Sequence, residues 1–304
     1  MPTADIPEEV RRLVADRAQR REARDFAGAD ELRARIRALG FDVVDGPAGT
    51  RVVPATEPPA ARRVPPGEVG SVLAQPPSAD VTILWLTGGW PEDVARGIAS
   101  FERHRGGAEI QHVVVDADHG EPGRWPDGVE LVALDRDPGF GACRNVALRR
   151  ARGDVVVVAD GSVEAEGDAL SPLRLALEDR SVGVAGPFGL VTEDLRTFRE
   201  DEGPEVDAVE GYLMAFRRDV LAGLDGYDEG FRFYRMADVE LSFRVKDLAM
   251  RAVVVPAPVI RHEHRAWAAL PPDERDRRSK RNFSRFLGRF RGRTDLLVGG
   301  GGKA

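Results

Sequence analysis

Cysteine is nearly missing from this sequence, and long apolar runs are missing altogether. The only cysteine among the 304 residues is Cys143, so the chain cannot form an internal disulfide or supply two thiolates to a structural zinc site. No uninterrupted apolar run approaches the roughly 20 residues that span a bilayer, and the stretch MPTADIPEEVRR has no apolar core of the signal-peptide kind. The sequence therefore predicts a cytoplasmic protein in a reducing compartment.

A net positive charge is missing as well. The chain carries 44 Lys and Arg residues against 51 Asp and Glu residues, which gives a formal net charge of -7. Proteins that bind nucleic acid or anionic membranes over a large surface are usually basic. A nucleic-acid partner is therefore not expected, and any basic binding surface must be local.

Composition divides the chain into four segments. Residues 1–53 predict a small helical hairpin, with its helices joined near Asp25, and then a short β-hairpin that turns at Asp45-Gly46. Residues 54–79 are rich in proline and predict an extended linker. Residues 80–265 alternate apolar strands with helical stretches, which is typical of an α/β fold with a mostly parallel sheet flanked by helices. Residues 266–304 predict a basic amphipathic helix and a glycine-rich tail.

The first segment resembles a known module. Its stretch REARDFAGADELRARIRALGFDVVDGPAGT, residues 21–50, is similar to the C-terminal helical module of cysteinyl-tRNA synthetases. The resemblance implies a fold for this segment and not a synthetase activity, since no ATP-binding signature and no zinc cysteines follow it. A role in contacting tRNA would need a basic face, whereas Asp25, Asp30 and Glu31 interrupt the arginines and favour a solvated helical hairpin.

Polar side chains follow the predicted strands of the third segment. Thr87 follows VTILWL, Asp116 ends HVVVD, and Asp160 follows DVVVVA, whose four valines predict a buried strand of a parallel sheet. The carboxyl ends of parallel strands meet at one edge, where α/β enzymes bind their ligands. Asp116 and Asp160 could accept hydrogen bonds from a ligand there, or they could simply cap the strand ends.

The motifs of this third segment together resemble family 2 glycosyltransferases of the GT-A fold. Four stretches follow the order of that family: VTILWLTGGWPEDVARGIASF, HVVVDADHG, DPGFGACRNVALRRARGDVVVVADGSV and VEGYLMAFRRDVLAGLDGYDEGFRFYRMADVELSFRVKDLAMRAVVVPAPVIRHEH. The resemblance implies a GT-A domain that binds a nucleotide-sugar donor. The donor-binding residues that it implies are Thr87, Asp116, Arg144 and Asp160.

The metal site implied by this resemblance lacks its usual second acid. In the family, an acid normally stands at the position of Ser162 and helps Asp160 to hold Mn²⁺ or Mg²⁺, and hard cations prefer carboxylate oxygens. His262 and His264 are further candidate ligands. We expect at most one of the two to face the site, and both could instead be surface histidines or hydrogen-bonded core histidines. Weak metal binding, metal-independent transfer and a site without catalysis all stay open.

The resemblance places the general base at Asp238, within RMADVELSFRV. The family usually has a glutamate directly before this aspartate, whereas this chain has Ala237. A lone aspartate can take the proton of an acceptor hydroxyl. An acid at the start of a helix can also serve only to stabilise the helix dipole.

The turn GFGACRN admits two other interpretations. A dinucleotide-binding turn would need a third glycine where Arg144 stands, and this turn is not the first strand-to-helix junction of the domain. Cys143 has no histidine beside it in the sequence, so we expect a small buried packing residue and not a nucleophile.

The last segment places aromatic residues along one side of a basic helix. Phe283, Phe286, Leu287 and Phe290 form an apolar stripe within RRSKRNFSRFLGRFRGR. Residues 275–293 could rest on the inner face of an anionic membrane and meet a lipid-linked acceptor. They could instead pack on the catalytic domain, which the sequence favours.

The function predicted from these motifs is transfer of a sugar, of the hexosyltransferase type, from a nucleotide-diphosphate donor to an acceptor hydroxyl. Inversion is implied by the resemblance, and Ser162 predicts weak or absent metal dependence. The acceptor could be a glycan, a lipid-linked molecule or a small molecule. The alternative is a non-catalytic GT-A-like binding or scaffold module. Convergence of Asp116, Asp160 and Asp238 on one open cleft would favour the enzyme.

Overall fold

The computed structural model describes residues 6–23, 25–46, 49–54, 62–118 and 123–298. The chain divides into two compact units, Met1–Ala61 and Arg62–Ala304. Each unit has its own apolar core.

The smaller unit is a helical hairpin followed by a β-hairpin. Its elements are α1 (Glu8–Glu22), α2 (Phe26–Ala38), β1 (Phe41–Gly46) and β2 (Gly49–Pro54). Asp25 accepts a hydrogen bond from the backbone N–H of Gly28 and so caps α2, which accounts for the break between the helices. The turn predicted at Asp45-Gly46 does not lie there, because both residues belong to β1 and pair with Thr50 and Gly49 of β2. Residues 47–48 lie outside the described residues.

The core of the smaller unit is held by apolar contacts and by an ion pair whose arginine is buried. Val10, Leu13, Ile36 and Val43 form the apolar cluster. Arg17 of α1 reaches Asp45 of β1, with an Nη2 to Oδ2 distance of 2.8 Å. The guanidinium holds the pKa of the Asp45 carboxyl well below its usual range, which ties the first helix to the β-hairpin.

The larger unit alternates strands and helices. Its strands are β3 (Ala79–Leu86), β4 (Ile110–Asp116), β5 (Glu130–Ala133), β6 (Gly153–Ala159), β7 (Val163–Ala165), β8 (Val182–Gly186), β9 (Gly189–Thr192), β10 (Phe198–Asp201), β11 (Glu205–Val206), β12 (Ala208–Val209), β13 (Leu213–Arg217), β14 (Arg251–Val254) and β15 (Val259–Arg261). Its helices are α3 (Pro91–Arg103), α4 (Phe140–Arg149), α5 (Leu170–Ala176), α6 (Arg218–Gly223), α7 (Ala237–Asp247), α8 (Arg265–Ala268) and α9 (Pro272–Phe290).

Eight of the described strands form the central sheet, in the order β11-β14-β8-β13-β6-β3-β4-β5. β6, β3, β4 and β5 run parallel to one another, and β14 runs parallel to β8. β13 is antiparallel to both of its neighbours, β6 and β8. The predicted α/β class with a mostly parallel sheet is therefore confirmed. The parallel half of the sheet brings the carboxyl ends of β3, β4 and β6 to one edge.

The run of four valines lies in β6, the strand between β3 and β13. Val155 and Val157 contribute to the apolar cluster on one face of the sheet, and Val156 and Val158 contribute to the cluster on the other. Both faces are covered, so the strand has no solvent-facing side that would require polar residues. The continuous apolar run predicted this arrangement.

Part of the predicted linker belongs to the larger unit. Val64 forms a parallel β-bridge with Leu134, and Gln75 accepts a hydrogen bond through its carbonyl from Arg218 at 2.7 Å. The stretch from residue 62 to residue 78 is thus held against the sheet domain, whereas the sequence predicted a tether throughout 54–79. Residues 55–61 lie outside the described residues.

The apolar side of α9 packs on the larger unit's own core. Phe286 and Phe290 are buried, with ring centroids 5.2 and 5.3 Å from that of Phe243 in α7. This side of the helix is therefore covered by the chain itself, in agreement with the packing interpretation of residues 275–293. Across the described ranges, none of the helices combines the length and the apolar character that a membrane crossing needs.

Candidate active site

The polar residues predicted at the strand ends lie on one edge of the central sheet. β4 ends with Asp116, Thr87 follows β3 and Asp160 follows β6, and β3 is the strand between the other two. Thr87 and Asp160 line a cavity of about 120 Å³. Asp160 also lines a larger cavity of about 630 Å³, which contains Asp238.

Asp116 takes part in a cluster behind Thr87. Its Oδ2 lies 3.0 Å from Nη2 of Arg63, and its Oδ1 accepts a hydrogen bond from the backbone N–H of Asp118 at 3.0 Å. Thr87 donates its hydroxyl hydrogen to Oδ2 of Asp118 at 2.8 Å, and the N–H of Gly89 donates to the same oxygen at 2.7 Å. Asp116 lines neither cavity and instead orients Asp118 and the loop after β3.

Asp160 is held by one hydroxyl and one imidazole. The hydroxyl of Ser162 donates to Oδ1 at 2.6 Å, the backbone N–H of Ser162 donates to the same oxygen at 2.9 Å, and Nε2 of His264 lies 3.1 Å from Oδ2. Burial alone would raise the pKa of Asp160, but the contacts with His264 and Ser162 outweigh it and lower the pKa to about 2. Asp160 is therefore a carboxylate at any pH at which the protein would work.

The ring of His264 is fixed from two further sides. Its Nδ1 accepts a hydrogen bond from the backbone N–H of Trp267 at 3.0 Å, at the start of α8. An Nδ1 that accepts leaves the proton on Nε2, where it points to Asp160. The ring also stacks on Tyr234, with the centroids 4.5 Å apart. His264 is thus positioned to donate a hydrogen bond to Asp160 even when it is neutral.

His262 is separate from this group. Its Nε2 lies 2.7 Å from Oε1 of Glu164, its side chain is 42% exposed, and it lines neither cavity. The structure thus brings together Asp160, Ser162 and His264 of the four predicted metal ligands, and it does not bring His262 to them. The chain is irregular after β15, so the two histidines do not share a strand face.

The residues around Asp160 do not fit a typical Mn²⁺ or Mg²⁺ site. Asp160, Ser162 and His264 offer one carboxylate, one imidazole that donates to it and one hydroxyl that also donates to it. Within the described ranges, no group of three His, Cys, Asp or Glu residues could hold a metal ion. Hard divalent cations prefer several oxygen ligands, so a strong site would need oxygens from elsewhere.

Arg144 of α4 lies between the ends of two strands. Its Nη1 donates to the carbonyl of Leu84 at 2.9 Å and its Nη2 donates to the carbonyl of Ala159 at 3.1 Å, while its guanidinium lies over the ring of Phe140. Burial lowers the pKa of Arg144, but a guanidinium stays protonated. Arg144 lines both cavities and gives them a fixed positive charge, although its two Nη groups already have partners.

Asp238 lies in the larger cavity at the start of α7. Met236 precedes this helix with a φ of 68°, a left-handed conformation that costs a non-glycine residue of order 1 kcal/mol. Oδ2 of Asp238 accepts a hydrogen bond from the N–H of Gly211 at 2.8 Å. Burial raises the pKa of Asp238, and the backbone donors oppose this only in part. No ion pair to Asp238 is present in the part of the chain that the structure describes.

Several lining residues were missed by the sequence reasoning. Glu210, Tyr212, Tyr234, Arg235 and Arg261 all line the larger cavity. Arg261 pairs with Glu210 and lies over the ring of Tyr212, 4.5 Å from its centroid. EGY and FYR, which contain four of these residues, were quoted only as parts of a long motif. Arg63 was missed because it lies in the proline-rich stretch that predicted a linker.

The two other interpretations of GFGACRN find no support in the structure. Arg144 stands where a dinucleotide-binding turn would have its third glycine, and its side chain fills the space between the strands. Cys143 is buried, and burial raises the pKa of its thiol to about 12. A thiol with this pKa carries almost no thiolate at neutral pH, so Cys143 packs as a small apolar side chain.

The fold and the position of this site define the larger unit as a GT-A domain. GalNAc-T7 crystallised with UDP, GalNAc and Mn²⁺ matches it with a TM-score of 0.55 at 15% sequence identity, over 69% of this chain and 48% of that chain. The chain therefore spans about half of the length of that protein. The GT-A fold predicted from the sequence is confirmed by this likeness.

Other solved structures resemble the chain more loosely. They include the mannosyltransferase PcManGT from Pyrobaculum calidifontis in complex with GDP-Man and Mn²⁺, at 18% identity and a TM-score of 0.47, covering 73% of this chain and 67% of that one. They also include residues 1–349 of TarS from S. aureus, at 15% identity and a TM-score of 0.46, covering 71% and 73%.

Similarity in sequence is limited to short stretches. The cysteine–tRNA ligase of Caldicellulosiruptor saccharolyticus is 45% identical over 47 residues, which are 16% of this chain and 10% of the ligase. The cysteine–tRNA ligase of Bdellovibrio bacteriovorus is 58% identical over 38 residues, which are 12% of this chain and 8% of the ligase. The chain thus matches a tenth or less of each of these curated relatives. No model of a known protein family matches the sequence.

Proposed function

We propose that the larger unit is a glycosyltransferase of the family 2 type that transfers a hexose from a nucleotide-diphosphate donor to an acceptor hydroxyl with inversion. The observation that carries this proposal is the shared cavity of about 630 Å³, which has Asp160 at the strand-end side and the unpaired carboxyl of Asp238 at the other. The GT-A fold supports the proposal by analogy alone.

The donor would occupy the strand-end side of the cavity. Thr87 and Asp160 offer hydrogen-bond acceptors for the nucleoside, and Asp116 would act through Asp118, whose position it fixes. The diphosphate would lie near the positive charge of Arg144 and beside His264, both of which line the two cavities. Because the residues around Asp160 do not form a carboxylate-rich site, we propose that Mn²⁺ or Mg²⁺ contributes weakly or not at all.

The acceptor would enter at the Asp238 side. Asp238 takes the proton of the attacking hydroxyl, the acceptor oxygen bonds to the anomeric carbon, and the nucleoside diphosphate leaves with the electrons of the broken bond. A carboxyl whose pKa is raised by burial is a stronger base than an exposed one. A single direct displacement of this kind inverts the anomeric centre.

The proposal is tested with purified full-length protein in two steps. Nucleotide-sugars that raise the melting temperature are first identified, since a ligand at a hundred times its Kd stabilises by about 2.7 kcal/mol. Release of the nucleoside diphosphate is then compared between the wild type and Asp238→Asn. We expect turnover to fall by roughly 10²–10⁴-fold while nucleotide affinity is kept.

Two results would reject this assignment. Equal loss of nucleotide binding and turnover in Asp238→Asn would make Asp238 structural. Binding of nucleotide-sugars without any turnover by the wild type would favour a non-catalytic GT-A-like binding module, which the single carboxylate at Asp160 would explain. The cytoplasmic location and a solvated role for the smaller unit stay parts of this proposal.

A further inference from the structure

The acid that family 2 enzymes usually carry before the general base is missing here, and a buried alanine stands at its position. Ala237, the first residue of α7, belongs to the core cluster. A glutamate there would have to place its carboxyl among apolar side chains, which is costly without a partner. If the acceptor site has a second acid, another part of the chain must supply it.

Glu210 comes from the loop between β12 and β13 and lines the same cavity as Asp238. The residue after it, Gly211, donates its N–H to Oδ2 of Asp238 at 2.8 Å. A Cβ at Gly211 would lie 3.1 Å from Cβ of Asp238 and 3.2 Å from its Oδ2. The backbone next to Glu210 is thus in direct contact with Asp238, and the close approach depends on the glycine.

The carboxyl of Glu210 has one oxygen engaged and one available. Nη1 of Arg261 lies 3.1 Å from Oε2. Arg261 is held in turn by the rings of Phe188 and Tyr212, 4.8 and 4.5 Å from its guanidinium. Among the described residues no donor reaches Oε1, and the side chain remains 14% exposed in the cavity.

We propose that Glu210 is the second carboxylate of the acceptor site, where its Oε1 accepts a hydrogen bond from the hydroxyl next to the one that Asp238 deprotonates. The acceptor class that fits two neighbouring carboxyls is a polyol or sugar with adjacent hydroxyls, because ionised carboxyls only accept hydrogen bonds and repel anionic groups. This inference rests on the proposed glycosyl transfer, which it deepens.

The charges around Glu210 support this role. Burial raises its pKa to about 7, the negative charge of Asp238 adds to this, and Arg261 opposes it, while Glu200 and Arg235 contribute less. The ionised form, which accepts hydrogen bonds, therefore prevails above about pH 7. The preference for adjacent hydroxyls should weaken as the pH falls below that value.

The isomers 1,2-propanediol and 1,3-propanediol test the inference, since they differ only in the spacing of their hydroxyls. With the nucleotide-sugar that the wild type turns over, we expect kcat/KM to be roughly tenfold higher for the 1,2-isomer, because a hydrogen bond to a charged group contributes about 1.5 kcal/mol. Glu210→Ala should reduce this ratio to about one by raising KM for the 1,2-isomer. Glu210→Gln, which keeps an acceptor oxygen, should retain part of it.

Glu193→Gln is the control, because Glu193 is an exposed acid that does not line the cavity. It should keep the wild-type ratio. A ratio that Glu210→Ala leaves at the wild-type value would overturn the inference, and so would a wild type that prefers the 1,3-isomer.

A substrate-free measurement separates this inference from the proposed function. Carboxyl ¹³C NMR titration follows Glu210 in the wild type and in Asp238→Asn. Removing the charge of Asp238 should lower the pKa of Glu210, while Glu193→Gln, an exposed acid elsewhere, should not change it. An unchanged pKa in Asp238→Asn would show that the two carboxyls do not form one site, whether or not the protein transfers sugars.

Discussion

Replacing Asp160 by asparagine should destabilise the protein by about 2 kcal/mol at pH 7. The native contacts lower the pKa of this carboxyl from 3.8 to about 2, and each unit of pKa corresponds to about 1.4 kcal/mol between the two protonation states. Asparagine resembles the protonated acid, so the variant lacks the stabilisation that ionised Asp160 gains from His264 and Ser162. The side chain of Asp160 is largely buried, so solvent screening reduces this value little.

The pH dependence has a definite sign. A depressed native pKa gives stability that is fully present above the unfolded pKa of 3.8 and is lost as the pH falls through about 2. The difference between the wild type and Asp160→Asn should therefore be about 2 kcal/mol at pH 7 and about 1 kcal/mol at pH 3. It should be at least as large at pH 5 as at pH 7, because the contact with Asp160 outweighs burial and raises the pKa of His264, and this stabilisation is fully present only below the unfolded pKa of 6.5. Urea unfolding of both proteins at these three pH values, in EDTA, measures it.

A surface acid provides the control for this series. Glu193→Gln should change the free energy of unfolding by less than about 0.5 kcal/mol at each pH, since the side chain is exposed. A difference for Asp160→Asn that does not vary between pH 7 and pH 3 would refute the electrostatic reasoning. A variant more stable than the wild type would also refute it, because the ionised Asp160 side chain would then destabilise the folded protein.

Two further predictions concern the metal and the last helix. Ser162→Asp places an anionic oxygen next to Asp160. Mn²⁺ should therefore tighten UDP or GDP binding by at least about tenfold in this variant and only slightly in the wild type, as measured by calorimetry with and without EDTA. Strong EDTA sensitivity of nucleotide binding by the wild type would contradict this prediction. Phe286→Ala should lower the free energy of unfolding by about 3–5 kcal/mol, because the ring is fully buried against Phe243. The control Leu175→Ala, at a side chain that is 66% exposed, should lower it by less than about 0.5 kcal/mol in the same urea titration. A small effect of Phe286→Ala would mean that this ring does not anchor α9.

The sheet and its functional edge were predictable because they depend on local patterns. An apolar run between polar ends predicts a buried parallel strand, and the strand ends then fall at one edge by geometry alone. Thr87 and Asp160 lie where this reasoning expects them. The position of Asp238 on a helix start also follows from the sequence, since the acid and the apolar periodicity are adjacent.

The partners of these residues were not predictable in the same way. Arg63 pairs with Asp116 across 53 residues, and Arg261 pairs with Glu210 across 51 residues. Such pairs leave no periodic signal in one sequence, because their partners come together only after the strands are ordered. Arg63 was missed for a related reason. A proline-rich composition predicts a segment without helix or sheet, but it does not predict whether that segment packs against the neighbouring domain.

The two acids that are missing from the expected motifs have different consequences at the two ends of the cavity. At the strand-end side, Ser162 stands where the resemblance implies a carboxylate and His264 contacts Asp160, so these three residues offer a divalent cation one anionic ligand. At the acceptor end, Ala237 stands where the resemblance implies a glutamate. Glu210 lines the same cavity as Asp238 and supplies a second carboxyl there. A leaving diphosphate needs positive charge, so a transferase can lack the metal-binding acid if Arg144 and His264 face the diphosphate. An attacking hydroxyl needs a base, so a transferase cannot lack a carboxylate at the acceptor end of the cavity. Under the proposed function the charges of the cavity follow this requirement, because Asp238 is the proposed base and Ser162 stands where the resemblance implies a metal-binding acid.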